Sequence, residues 1–145
     1  MTPGRPNIKN KKINVVSLVS VLLIVVFYYF QTFEEPGSET TLQQLYAQRI
    51  SDEMVSFSGT VEKILSDDLQ GSKHQRLIIR TGQQTVLLAH NIDLAERVPV
   101  EAGDRLAVYG EYEWNDKGGV VHWTHKDPRN RHPHGWIKHK GKVYQ

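Results

Sequence analysis

Residues 102–114, AGDRLAVYGEYEW, alternate inward and outward side chains more cleanly than any other stretch of the chain. Leu106, Val108, Gly110, Tyr112 and Trp114 fall on one face, and Arg105, Ala107, Tyr109, Glu111 and Glu113 on the other. A period of two marks a half-buried strand, because successive side chains of an extended backbone point to opposite faces. Asn115-Asp116-Lys117-Gly118-Gly119 then turns the chain into Val120–His125, where Val121 and Trp123 share a face. On the N-terminal side, Val55, Phe57, Gly59 and Val61 alternate until Ile64-Leu65 breaks the pattern, which predicts a first strand that is bulged and bent. Arg76–Arg80 is the second strand, Thr81-Gly82-Gln83 a hairpin turn, and Thr85–Ala89 the third. Asn91–Gly103 offers one helical turn, Asp93–Arg97. Trp136-Ile137 and Val143-Tyr144 flank Lys140-Gly141 as a terminal hairpin.

Five strands, the first long and bent, with an insert between the third and fourth, follow the order of an OB-fold. The expected fold is mainly β: a small OB-like five-stranded barrel with a C-terminal hairpin, over residues 53–145. Another small barrel, such as an SH3-like one, is the alternative. A closed barrel also removes the sheet edges that a domain this small can ill spare.

The N-terminal third has a different character. Residues 13–33 are 21 uncharged residues, preceded by Arg5, Lys9, Lys11 and Lys12 and followed by Glu34, Glu35 and Glu39. At about 1.5 Å per residue such a helix spans roughly 30 Å, a hydrocarbon core. The charge asymmetry predicts a single-pass inner-membrane anchor, with residues 1–12 cytoplasmic and the remainder periplasmic or otherwise extracytoplasmic. A cleaved signal peptide is the competing reading, but residues 30–35 lack the small residues that cleavage requires. Residues 34–41 read as a linker. Residues 42–52 read as a short amphipathic helix capped by Thr41, with Leu42, Leu45, Tyr46, Arg49 and Ile50 at helical spacing.

The blocks GSKHQRLIIR (71–80), LLAHNIDLAERVPVEAGDRLAVYGEYEWNDKGGVVHWTHKDP (87–128) and RHPHGWIKHKGKVYQ (131–145) resemble a bacterial family, domain of unknown function 3465. The resemblance covers about Gly59–Gln145 and implies a short, exported or membrane-anchored protein with an OB-like barrel. It brings no activity with it.

Five of the seven histidines lie between His122 and His139, beside Asp127. Imidazole and carboxylate are ligands for divalent metals, so His122, His125, Asp127 and His132 are the candidate metal set. On a regular strand His122 and His125 point to opposite faces, so shared ligation requires a bend, which Pro128 favours. The competing reading makes these histidines hydrogen-bonding anchors of a surface loop. The expected ligand face joins His74, Arg76, His90 and Asn91 to His122, His125, Asp127 and Arg131.

Charge is unevenly spread. Residues 34–116 carry seven cations and fifteen acids, and residues 117–145 seven cations and one acid. Basic and aromatic residues together suit phosphate chains, but the acidic barrel body disfavours nucleic acid, and a basic tail docking on its own barrel needs no partner. The absence of cysteine excludes disulfides and thiol chemistry. No nucleophile elbow or phosphate-cradling glycine loop is present. The expected function is therefore a non-catalytic binding module. The rivals are a metal-dependent hydrolase of phosphodiester-type substrates using the His/Asp cluster, and a structural subunit meeting an envelope protein partner.

Overall fold

A computed structural model describes residues 38–145, together with Val19, Val21, Leu22 and Ile24. The chain divides into two compact units, residues 1–35 and 36–145. In the first unit the four described residues are helical and exposed. The remainder of the expected transmembrane helix lies outside the described residues, and among the described residues no helix is long and apolar enough to cross a membrane.

The second unit comprises α1 (Ser38–Gln48), β1 (Glu53–Ile64), β2 (His74–Thr81), β3 (Gln84–Asn91), β4 (Arg105–Glu113), β5 (Val120–His122), β6 (Trp136–His139) and β7 (Lys142–Tyr144). β1 closes the sheet on itself. Its first part pairs with β4, and at Thr60 it passes over to β2, with Thr60 opposite both Arg105 and Arg80. Register slips between Val61 and Lys63, a bulge at Glu62 that bends the strand. Gly59 sits where the two halves approach. A Cβ there would stand 2.5 Å from Ile79 Cγ2 and 2.7 Å from the Arg80 carbonyl. The order β1-β2-β3-β5-β4 returns to β1, with β3 and β5 parallel, so five strands form a closed barrel.

The alternation read from the sequence holds through β4, where Leu106, Val108, Gly110 and Tyr112 are buried. Leu106, Val108 and Tyr112 join Phe57, Leu77, Ile79, Leu88, Val121 and Ile137 in one core. The hairpins form where glycine permits them. Gly82 at φ 55° links β2 to β3, and Lys140-Gly141, both at positive φ, links β6 to β7.

Three local expectations are corrected. The helix occupies residues 38–48 rather than 42–52, so Thr41 lies inside it and Ile50 beyond it. It stops because Arg49 adopts φ 57°, and the Ile50 and Arg49 amides donate to the Leu45 and Tyr46 carbonyls at 3.0 and 3.2 Å. The Arg49 guanidinium lies 5.2 Å from the Trp114 ring centre, and Trp114 Nε1 donates to the Tyr46 carbonyl. Leu42 is thereby seated in the core, fully buried. Second, residues 93–97 form no helix. The Ala95 amide closes a single turn on the Asn91 carbonyl, and the segment is held instead by buried Gln75, whose amide exchanges two hydrogen bonds with the Val98 backbone. Third, β5 ends at His122, since Trp123 turns the backbone at φ 55°.

Candidate functional site

That turn at Trp123 creates the most distinctive feature of the surface. β5 pairs with β4 at Glu111–Glu113, and β6 pairs with the same edge at Leu106–Tyr109. Residues 123–135 leave this edge and return to it. The Gly135 amide donates to the His125 carbonyl at 3.0 Å, closing the neck of the loop. A Cβ on Gly135 would overlap the Trp123 carbonyl and stand 2.7 Å from that of Tyr109, so only glycine fits there.

Asp127 organises the loop interior. Its carboxylate accepts the amides of Arg129, Arg131 and His132 at 3.0, 2.6 and 3.0 Å. Its own amide donates to His134 Nδ1 at 3.1 Å. Hydrogen bonds from the Arg129 and Arg131 amides hold its carboxyl below the ordinary range. Asp127-Pro128 begins a turn, and a carboxylate gathering the amides that follow it is the usual role of Asp there.

Between this loop and the ends of β2 and β3 lies an open cleft of about 750 Å³. Six of the eight expected ligand-face residues line it: His74, Asn91, His122, His125, Asp127 and Arg131. Trp123 and His132 join them. The Trp123 ring packs against His125 and His132, with centres 5.2 and 4.1 Å apart. Its Nε1 is buried and has no hydrogen-bond partner, an arrangement shared among the described residues only by Thr81 Oγ1.

The other two expected residues serve elsewhere. Arg76 donates to the Ser66 carbonyl at 2.8 Å and ties down the loop after β1. His90 is fully buried, and both ring nitrogens are occupied. A carbonyl only accepts, so Nε2–H donates to Glu96 O at 3.1 Å and Nδ1 accepts the Thr124 hydroxyl at 2.8 Å. Desolvation lowers its pKa to about 4, so the ring is neutral at pH 7.

The four candidate metal ligands, His122, His125, Asp127 and His132, line one cleft, but their ligand atoms do not converge as a cluster. Asp127 is engaged by three amides, and His125 Nδ1 donates to the Lys126 carbonyl at 2.8 Å. A different group converges: Glu111, Glu113 and His122, whose ligand atoms all lie within 4.8 Å of one another. His122 Nε2 stands 3.6 Å from Glu111 Oε1 and 3.7 Å from Glu113 Oε1. His132 Nε2 bonds the other Glu111 oxygen at 2.5 Å, while its Nδ1–H donates to the Pro133 carbonyl at 2.9 Å. Partial burial opposes the charged ring, but the Glu111 hydrogen bond and the Pro133 carbonyl outweigh it and raise His132 above its ordinary value. By type and spacing alone, Glu111 and Glu113 are outward-facing acids of a strand. Their spacing of two on a strand puts them on one face, and cross-strand register sets His122 opposite Glu111.

The basic C-terminal segment meets acids of the barrel. His139 and Lys140 reach Asp104 at 3.0 and 3.2 Å, and Lys142 reaches Glu96 at 2.7 Å.

These features define a small, closed β-barrel domain carrying a histidine-rich loop and an open cleft beside it. The chain belongs to the family described as Protein of unknown function (DUF3465), whose model matches residues 24–145. None of the curated proteins matches it.

Proposed function

We propose that this protein is a membrane-anchored, exported binding module, and that its OB-like barrel takes a small anionic ligand in the cleft beside the histidine-rich loop. The observation that carries the reading is the convergence of Arg131, Asn91, His74 and His125 on one open cleft. The Arg131 guanidinium and the Asn91 amide present N–H donors, which suit carboxylate or phosphate oxygens, and the His74 and His125 rings flank them. The strand order and the parallel β3–β5 pair support an OB-like barrel, although the far wall is the loop after β5 rather than the turn between β4 and β5. A catalytic role for Asp127 finds less support, since its oxygens are committed to the backbone.

The uncharged run 13–33, with a basic flank before it and acids after it, supports the anchor and the export. A reporter fused after Gln145 that is active only outside the cytoplasm tests this topology, and activity only from a cytoplasmic reporter would refute it. The ligand reading is tested by titrating the metal-free full chain with inorganic phosphate and with succinate, following tryptophan fluorescence. A saturable change that Arg131→Ala and His125→Ala weaken is expected. An absent change, or one that both variants leave untouched, would overturn the assignment of the cleft.

A further inference from the structure

We propose that Glu111, Glu113 and His122 form a binding site for a divalent first-row transition ion, with His132 holding Glu111 in place from outside. The site goes beyond the anion-binding reading and does not rest on it.

The geometry is that of ligands around an ion rather than of a plain ion pair. A protonated imidazole bonded to a carboxylate closes to about 2.7–2.9 Å. His122 Nε2 instead stands nearly equidistant from two carboxylate oxygens, at 3.6 and 3.7 Å. With metal–ligand bonds of about 2.0–2.2 Å, neighbouring ligands of a tetrahedral ion lie about 3.3–3.6 Å apart, so small side-chain adjustments suffice.

The donors come from rigid elements. Glu111 and Glu113 share one face of β4, and His122 is the register partner of Glu111 on β5. The remaining Glu111 oxygen is taken by His132. The Pro133 carbonyl fixes the ring of His132 through Nδ1–H. A ligating carboxylate oriented by a hydrogen-bonded neighbour is a recurrent feature of metal centres. Two carboxylates balance the charge of a divalent ion, and an oxygen and imidazole set without sulfur suits Zn²⁺, Mn²⁺ or Fe²⁺ better than a soft ion. Three protein ligands leave a coordination position for water or another small ligand.

Metal binding is measured on the chelator-free full chain by calorimetric titration with Zn²⁺ and by the visible absorption of Co²⁺. One saturable equivalent per chain is expected. Glu113→Gln and His122→Gln are each expected to weaken it by about tenfold or more, and His132→Gln by about tenfold. His134→Gln, a histidine of the same loop outside the set, is expected to leave it unchanged. Both principal substitutions lie on half-buried outward positions, and circular dichroism checks their fold. Absence of a saturable equivalent would overturn the site. So would retention in both Glu113→Gln and His122→Gln, or equal loss in His134→Gln. The phosphate and succinate titrations use metal-free protein and turn on Arg131 and His125, so either proposal can fail without the other.

Discussion

Acidification from about pH 7 to about pH 5 is expected to destabilise the barrel through His90. Its ring is fully buried between Glu96 O and the Thr124 hydroxyl, and its pKa falls from 6.5 to about 4. Burial is the main cause. The Glu96 carbonyl opposes it, and His125, His74 and Arg97 add smaller repulsions. In the unfolded chain the same ring takes up a proton near its ordinary value. Between the two values the unfolded state binds more protons, so stability rises with pH across that window and is lost as pH falls. Linkage gives a loss of about 2 kcal/mol between about pH 7 and about pH 5. His132, shifted the other way, contributes stability that is present at the acidic end and lost as pH rises through its folded value, so it partly masks the effect. The assay is therefore comparative: urea unfolding of the parent and of His90→Gln at both pH values. The variant is expected to be less stable at neutral pH but to lose about 2 kcal/mol less on acidification. Equal pH slopes in the two proteins would refute the argument that the folded state holds this ring neutral.

Leu42→Ala, which empties a fully buried position filled by α1, is expected to cost about 2–5 kcal/mol in urea unfolding while leaving the barrel strands formed. Gly135→Ala places a methyl against the Trp123 carbonyl. Limited proteolysis should then cut within residues 125–135 well before the barrel. Asp127→Asn weakens the acceptor of three amides, so hydrogen exchange at Arg129, Arg131 and His132 is expected to quicken selectively. In the parent the same loop order is present above the ordinary Asp value of 3.8 and is lost as pH falls through the lower folded value. Exchange that stays slow in Asp127→Asn would remove Asp127 as the organiser.

The barrel was legible because its signals are local. Alternation in residues 105–113, the broken alternation after Val61, and the glycine turns at Gly82 and Gly141 are each readable from a few neighbours. The helix boundaries were not, because Arg49 is an unexpected residue for a left-handed helix end and lies over Trp114, far along the chain. The strand after Gly119 is shorter than its residue types predict, for a related reason. Trp123 favours strands by type, and only its packing against the histidine loop accompanies the turn.

For the cleft, residue type carried the reading a long way. The histidines around Asp127, joined to His74 and to the end of the predicted third strand at Asn91, include six of its lining residues. Roles were another matter. His90 and Asp127 look like ligands in a sequence, yet burial makes one a neutral core residue and three backbone amides make the other a loop organiser. Glu111 and Glu113 look like solvent-facing acids, yet sheet register brings His122 to them. Sequence by itself determined the period-two pattern, the turns and the residues offered for chemistry, since these depend on local sterics and side-chain type. Only the tertiary structure decided which nitrogen and oxygen atoms meet, because pairing across strands and closure of a barrel set distances that no local stretch of sequence contains.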